Sequence, residues 1–461
     1  MTALTASARG RCGHPSGERP IWVRVLPVAI ALGYLSLSVV LFRFGPWPWP
    51  VAHPYKLYIF LALAHAALLL GYLSGVRAIA LEPRRRYLLR RLIAISAFAG
   101  LAVAIPLSLN RTGQVVPQVL AGLADPGAAY ASGHRVRGGF AIGEYMAMVL
   151  MPFMAMVLPL TVYYWDHLSV RLRCSAVLSV GATASAYVAS GTVVYIANVA
   201  VLVPVLLLAR RAAGRSQPRR GRAVVGGLVV AALCAFGVAF FSAGQATRPG
   251  AAAVKGFDAT PRVVADWSNP FLRAAPVSWR PATLALFSYL TQGYYGLSLC
   301  LDEPYVPTFG FGNSMFLYLN ASTLPFLEDL EERPYPIRAE AKGWDAYGRW
   351  STFYAWVASD VTFPGAIVLM ALIGRVLSAT WIDTLDGRNP MAVAIFAQLV
   401  ILLMYLPANN QVGQSGGSLV AFVGILMLWL RARGRRRRRW VVGGPSGGGG
   451  RPISSGGGAP T

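Results

Sequence analysis

The sequence predicts an all-α polytopic membrane protein with about ten transmembrane helices and one large extracytoplasmic loop region. Of its 461 residues, 55% are hydrophobic and 13% are charged, a composition that excludes a soluble globular domain. Apolar runs of about 20 residues recur along the chain, which is the length of helix that crosses ~30 Å of hydrocarbon. Transmembrane β-barrels show short alternating segments instead, so helices are the expected spanning elements.

The boundaries of the spans follow from the apolar runs and from the placement of arginine. We divide 174–209 into two helices at Ser190-Gly191-Thr192, because a hairpin there keeps the basic residues at both of its ends on one side. The ten predicted spans lie at about 25–42, 57–76, 92–109, 140–163, 174–188, 191–209, 223–242, 362–382, 391–407 and 417–430. The predicted domains are a disordered cytoplasmic N-terminus (1–24), an N-terminal bundle of about seven helices (25–242), a large extracytoplasmic loop domain with re-entrant or interfacial helices (243–361), about three C-terminal helices (362–430) and a basic, then Gly-rich cytoplasmic tail (431–461).

The net charge of +24 comes almost entirely from arginine. The arginines cluster in three connectors, Arg77–Arg91, Arg210–Arg222 and Arg431–Arg439. Basic connectors are retained on the cytoplasmic side of a membrane, so both termini are predicted to be cytoplasmic. Stop-transfer signals and contact with anionic membrane lipid account for such runs, and we expect no nucleic acid as a partner.

A polar interval from about 242 to 362 separates the two blocks of spans and carries most of the acidic residues and many Tyr and Trp. Within it, 284–301 is apolar but interrupted by Gln292, Gly293 and Gly296. We expect this segment and 309–319 to form helices that lie on or dip into the membrane from outside. The alternative is that the two segments form a pair of additional spans.

Four motifs in the last 180 residues carry a resemblance to a known family. They are YLTQGYYGLSL (289–299), GFGNS (310–314), WSTFYAWVASDVTFPG (350–365) and PANNQVGQS (407–415). Together with the topology, they resemble the Wzy-type O-antigen and oligosaccharide repeat unit polymerases of bacteria.

That resemblance implies a GT-C-like polymerase or ligase architecture in the bacterial cytoplasmic membrane. It implies an enzyme that joins undecaprenyl-diphosphate-linked oligosaccharide repeat units at the outer face, without a metal ion or another cofactor. A chain-length regulator and a flippase are the protein partners it implies. An O-antigen ligase-like glycosyltransferase remains an alternative, since that class shares the topology and a large outward loop.

A polyprenyl diphosphate leaving group is strongly anionic, and outward arginines are the expected counter-charges. Arg137 and Arg349 are the predicted catalytic arginines, and the alternative for each is an ordinary charged loop residue. The residues predicted to bind substrate through charge or hydrogen bonds are His134, Arg135, Arg273 and Arg280, with Arg262, Arg333 and Arg338 as further outward candidates.

The acceptor hydroxyl needs a base as it attacks the anomeric carbon of the donor. Asp360 and Glu144 are the predicted catalytic carboxylates because each lies at the edge of an apolar span, where a charge is costly. The alternative for Asp360 is an N-cap of the following span, and for Glu144 an ion pair that joins helices. Asp345 and His134 are further candidates for the base.

Aromatic residues and a tight turn complete the predicted substrate site. Tyr294, Tyr295, Trp350 and Tyr354 offer rings on which the C–H faces of sugars stack, and the alternative is a membrane-interface belt. Asn313, in the GFGNS turn, has neighbouring backbone N–H groups that suit a phosphate.

Two further observations bear on other classes of protein. No cysteine or histidine spacing indicates a metal site, and the acidic pairs and runs at 302–303 and 328–332 have the pattern of solvated turns. A transporter or flippase is the third alternative, and it predicts ionisable residues inside spans. Glu144 and Arg375 are the exceptions to otherwise uncharged spans.

Overall fold

The computed structural model describes residues 20–76, 89–136, 141–215, 220–247 and 262–434. Within these ranges the protein consists of helices and connecting loops and contains no β-strand. Nine helices in this described part are long and apolar enough to cross a membrane, and a tenth is apolar but shorter. The prediction of an all-α polytopic membrane protein is therefore confirmed.

Each predicted span coincides with a helix or a helix pair of the structure. The corresponding helices are α1 (Ile21–Phe44), α2 (Pro54–Gly75), α3 (Leu89–Ala102) with α4 (Ala104–Thr112), α7 (Ala141–Tyr164), α8 (Val170–Ala189), α9 (Val194–Ala212), α10 (Arg220–Thr247), α15 (Phe353–Asp386), α16 (Pro390–Tyr405) and α17 (Gly416–Gly434). The shorter or non-spanning helices are α5 (Val119–Ala124), α6 (Pro126–Val136), α11 (Pro270–Arg273), α12 (Arg280–Cys300), α13 (Met315–Ala321) and α14 (Tyr335–Arg338). The predicted tails fall mainly at 1–19 and 435–461, outside the described residues.

The predicted hairpin between α8 and α9 is present and ends α8 in a Schellman motif. Gly191 has φ +62° and donates its N–H to the carbonyl of Val188 at 2.9 Å. Thr192 donates to the carbonyl of Tyr187 at the same distance. Glycine is favoured at this position because it adopts a positive φ without a steric cost.

The centre of the bundle is the packed pair α2 and α15. A methyl group added at Gly71 would lie 1.9 Å from the carbonyl oxygen of Ala371, and one added at Gly374 would lie 2.1 Å from that of Leu68. Small residues on both helices thus allow their backbones to come into close contact. In a membrane, where lipid is as apolar as the side chains, such close packing is what drives helices to associate.

Basic residues join the helices at one end of the bundle, here called the basic end. The guanidinium of Arg210 donates to the carboxylate of Asp166 at 2.6 Å, linking the end of α9 to the connector after α7. At the same end, Arg433 of α17 lies 3.4 Å from the carboxylate of Asp383 of α15. Arg215, just after α9, donates to the carbonyl of Gly387, just after α15, at 3.0 Å, so the described parts of the connectors 210–222 and 431–439 lie at the same end of the bundle.

The opposite end, here called the loop end, holds the 45–53 connector, the 406–415 turn and the polar interval. The N–H of Phe353 donates to the carbonyl of Leu406 at 3.0 Å, and Trp47 Nε1 donates to the carbonyl of Leu284 at 3.1 Å. The polar interval and the basic connectors consequently occupy opposite ends of the bundle.

Helix α12 lies across the loop end instead of crossing the membrane. Its beginning contacts Trp47, and Asp302, just after its end, forms an ion pair with Lys56 at 2.6 Å. Trp47 lies within the short connector between α1 and α2 and Lys56 lies in the first turn of α2, so both ends of α12 lie at one end of the bundle. The helix continues without a break through Gln292 and Gly293, residues that sequence patterning marked as interruptions.

Arg375 lies near a membrane boundary, although its place in the eighth predicted span suggested a deeper position. A methyl group added at Gly75, the last residue of α2, would lie 3.2 Å from the carbonyl oxygen of Arg375. The residue is thus level with the end of α2 at the basic end, and its side chain is exposed. Long basic side chains at such a level reach the headgroup region.

Candidate functional site

The carboxylate of Asp360 is enclosed by the loop that precedes α13. Its Oδ1 accepts hydrogen bonds from the N–H groups of Gly310 at 2.9 Å and Gly312 at 3.0 Å. Its Oδ2 accepts from the backbone N–H of Asn313 at 2.8 Å and from the side-chain amide of the same residue at 2.6 Å. The Thr308 hydroxyl lies 2.5 Å from Oδ1. The GFGN sequence supplies these donors because its glycines let the backbone close around one anion.

The 406–415 turn holds the same loop through two hydrogen bonds. The side-chain amide of Asn410 donates to the carbonyl of Asn313, and the Ser314 hydroxyl donates to the carbonyl of Gly413. Two of the motifs that carry the family resemblance, GFGNS and PANNQVGQS, are therefore in direct contact. The third, VASD, provides the carboxylate around which they assemble.

This geometry gives Asp360 a role that differs from both sequence-based interpretations. A carboxylate has about four lone-pair sites, and four N–H donors already occupy them, so no site remains for a proton from a substrate hydroxyl. The N-cap of the second half of α15 is Thr362, whose hydroxyl accepts from the N–H of Gly365 at 3.4 Å. Thr362 has φ +67°, a strained value for a β-branched residue, and it kinks the helix there. Asp360 is accordingly a positioning residue.

Glu144 is the exposed carboxylate at the loop end of α7, in the first turn of that helix. Met148 lies one turn further along the same face, and its sulfur would be 2.6 Å from a methyl group added at Gly416. That methyl group would also meet the ring of Phe316, which follows the Asp360 loop. Glu144 is therefore directed toward the side of the bundle that carries this loop. None of the described residues forms an ion pair with it.

Arg111, which the sequence analysis did not single out, is half-buried at the loop end of α4. Its guanidinium carbon lies 3.6 Å from the centre of the Tyr187 ring, the closest cation–π contact of the described residues. A methyl group added at Gly133 of α6 would lie 3.1 Å from the carbonyl oxygen of Arg111. The signal in the sequence was its place directly after an apolar span, on the side opposite to the arginine-rich connectors.

The segment that packs beside Arg111 contains two of the predicted residues, His134 and Arg135. Arg135 is exposed on α6, two residues after Gly133. His134 lies in the same helix, its side chain being outside the described part of the chain, and Arg137 is outside the described residues altogether. Residues two positions apart on a helix point to opposite sides, so Arg135 extends from the face of α6 away from the contact with Arg111 and adds a positive charge to the exposed side of that helix.

The Arg111 corner adjoins the first turns of α7. Tyr187, the ring under Arg111, packs against an apolar cluster that includes Leu107 and Ala147, and Ala147 lies three residues after Glu144. The next residue, Met148, meets Gly416 and Phe316 beside the Asp360 loop. We call the surface formed by Arg111, Glu144 and this loop the candidate site.

The three tyrosines predicted to bind sugar are packed inside the protein. Tyr294 is 0% exposed and its hydroxyl lies 2.8 Å from that of Ser38. Tyr295 stacks on Trp49 with ring centres 5.6 Å apart, and Tyr354 is 0% exposed. Rings that are covered by neighbouring side chains cannot stack on a ligand, so in this conformation these residues stabilise the contact of the polar interval with the bundle.

The remaining predicted residues lie in two other places. Trp350 is half-buried against Tyr289, with ring centres 5.5 Å apart, and Arg349 lies over the ring of Trp344 at 5.1 Å. Arg273 ends α11 and is exposed, whereas the Nε of Arg280 donates to a carbonyl at 3.4 Å. The structure does not bring Arg273 and Arg280 to the candidate site.

Acidic residues of the polar interval are held by neighbouring cations. Glu303 pairs with Lys342 at 2.7 Å and with Arg338 at 3.6 Å, and Asp329 forms a two-bond pair with Arg333. No group of three potential metal ligands occurs among the described residues. Glu303 and Asp329 therefore act as ion-pair partners of the arginines and lysine of this interval.

Fold and site together define a multi-pass α-helical membrane protein whose polar surface is concentrated at one end. Searches against models of protein families, curated proteins and solved structures found nothing that matches this chain. The argument for its function consequently rests on the residues of the candidate site and on the motif resemblance.

Proposed function

We propose that this protein is a glycosyltransferase that polymerises undecaprenyl-diphosphate-linked oligosaccharide repeat units at the outer face of the bacterial cytoplasmic membrane. The observation that carries the proposal is Arg111. A guanidinium held at the end of an apolar bundle, opposite the basic end, suits a lipid carrier whose diphosphate sits at that membrane surface. The positive-inside rule makes the basic end cytoplasmic and the loop end extracytoplasmic.

The chemistry assigns separate roles to the residues of the candidate site. The acceptor hydroxyl oxygen attacks the anomeric carbon of the donor, and its proton passes to Glu144. The bond between the anomeric carbon and the phosphate oxygen breaks, and undecaprenyl diphosphate departs with the electron pair. Arg111 stabilises the negative charge on that leaving group. Asp360 keeps the GFGN loop in place beside these residues.

The placement of ionisable residues favours an enzyme over a transporter. A transport pathway requires such residues inside the spans, facing a central passage. The two exceptions noted in the sequence, Glu144 and Arg375, lie toward opposite ends of the bundle, and the half-buried His65 in the middle of α2 does not by itself line a passage. A polymerase needs a polar surface at one end of the bundle to bind its substrates, whereas a transporter needs polar residues along a passage through the bundle.

The test is polymerisation by the purified full-length protein in lipid nanodiscs. The substrate is the lipid-linked single repeat extracted from cells that lack this protein. We expect a ladder of products spaced by one repeat unit. Transfer to a different acceptor without a ladder would indicate a ligase, and unchanged substrate would contradict the proposal.

Variants locate the activity within the candidate site. Glu144→Gln removes the base and is expected to lower kcat by about 10²–10⁴-fold. Arg375→Gln, a change at the opposite end, is the matched control and is expected to leave the ladder intact. Equal loss in both variants would show that Glu144 has no specific role.

A further inference from the structure

The segment 262–281 exposes an unusual set of apolar side chains at the loop end. It contains α11 and the short 3-10 helix Val277–Trp279, and leads into α12. Its exposed apolar residues, with their exposed fractions, are Val264 (57%), Trp267 (43%), Phe271 (41%), Val277 (73%) and Trp279 (47%). Two tryptophans in so short a stretch are typical of segments at a membrane–water interface.

Two hydrogen bonds fix the level of this segment relative to the membrane. The side-chain amide of Asn269 donates to the carbonyl of Phe44, the last residue of α1, at 3.0 Å. The N–H of Asp266 donates to the carbonyl of Pro46 at 2.7 Å. Because α1 is a spanning helix that ends at Phe44, the segment lies where α1 leaves the hydrocarbon. Phe44 is itself 61% exposed, so the lipid-facing surface of α1 continues into the segment.

The charge of the segment matches a phospholipid surface. It contains three arginines and a single acid, Asp266. The backbone N–H and the hydroxyl of Ser268 donate hydrogen bonds to one carboxylate oxygen of Asp266, and these bonds lower the pKa of that carboxyl group. Arg273 is exposed at the end of α11. By contrast, the stretch around Phe326, which is 93% exposed, is followed by four acids between 328 and 332.

We propose that residues 262–281 form an anchor that lies in the headgroup layer of the outer leaflet. Its apolar side chains enter the boundary between headgroups and acyl chains, and Arg273 binds lipid phosphate. Lipid is the chosen occupant because the segment continues the lipid-facing surface of α1 and carries an excess of arginine. The inference does not depend on the proposed function, and it reassigns Arg273 from substrate to lipid.

The test compares two exposed apolar positions of the same polar interval. Val277→Cys and Phe326→Cys are spin-labelled separately in a full-length chain whose native cysteines are replaced by serine. The protein is placed in nanodiscs of phosphatidylethanolamine and phosphatidylglycerol. Collision with oxygen, which enters lipid, is then compared with collision with a water-soluble nickel complex. We expect the Val277 label to favour oxygen and the Phe326 label to favour nickel.

Three results would overturn the proposal. The first is a nickel-dominated signal at Val277, equal to that at Phe326. The second is dipolar broadening between Val277 labels, which would show that a second copy of the chain covers the segment. The third is a fluorescence result, measured on the chain with its native cysteines. Lipids brominated near the headgroup should quench the tryptophan fluorescence of this chain more than that of the double variant Trp267→Phe/Trp279→Phe. Equal quenching of the two proteins would contradict the anchor.

Discussion

Asn313 donates both its backbone N–H and its side-chain amide to one carboxylate oxygen of Asp360, at 2.8 and 2.6 Å. The two residues are 47 positions apart in the chain. The pair joins the loop before α13 to the kinked helix α15, and Asn410 extends the connection to the turn after α16. Motifs that are separate in the sequence thus form one structural unit.

Asp360→Asn should loosen this unit. The new amide places an NH₂ group among backbone N–H donors, so at least one donor loses its acceptor. Loss of hydrogen bonds to a charged group costs about 1.5–3 kcal/mol, and the thermal midpoint should fall accordingly. Limited proteolysis should show new cleavage between 308 and 314.

Asp329→Asn is the control for that change. Its carboxylate is 65% exposed and pairs with Arg333 at the surface. Exposed ion pairs contribute about 0–1 kcal/mol, so the midpoint and the cleavage pattern should stay close to those of the unmodified protein. A similar loss in both variants would mean that Asp360 does not hold the loop.

Arg111→Lys should separate the requirement for charge from the requirement for a planar guanidinium. Lysine keeps the positive charge but loses the bidentate geometry and the flat contact with Tyr187. An interaction of about 1.5–3 kcal/mol corresponds to a fall of about 10–150-fold in kcat/KM with the lipid-linked substrate. Full activity in this variant would remove Arg111 from the diphosphate site.

Cys300 should resist alkylation in the folded protein. Burial raises the pKa of its thiol to about 12, so the thiolate that reacts is scarce at pH 8. Because this pKa is higher in the folded state, the associated stability is complete below pH 9 and falls as the pH rises from 9 toward 12. Mass spectrometry after N-ethylmaleimide treatment should find Cys300 modified only once detergent has unfolded the chain. Rapid labelling of the folded protein would show that α12 is not packed as described.

The fold was predictable from the sequence because a membrane constrains it so strongly. Apolar run length located the nine described helices that are long enough to cross a membrane and the shorter apolar helix α16, and the positions of the arginines required the turn at Gly191. The boundary of α15 was less predictable. Its first turns, from Phe353 to Asp360, are buried beneath the polar interval, so they lack the uniform apolar character of a lipid-facing span.

The candidate site was less predictable because it depends on contacts distant in sequence. Asp360 looked like a base or a cap, and only the folded loop shows its carboxylate filled by donors from 310 to 313. Tyr294 and Tyr354 looked like sugar platforms, but residue type alone does not distinguish a cleft from a core. Arg111 directly follows an apolar span, so the sequence alone does not distinguish it from an ordinary basic residue at the end of a helix. Its contact with Tyr187 is visible only in the structure.

The most direct test of the account is the sidedness of two exposed positions, Phe326 at the loop end and His167 at the basic end. Each is changed to cysteine in a full-length chain without native cysteines, and intact spheroplasts are treated with a membrane-impermeant maleimide. We expect Phe326→Cys to react in intact spheroplasts and His167→Cys to react only after lysis. The reverse pattern would place the polar interval in the cytoplasm, away from the lipid-linked substrate, and would contradict the proposed function.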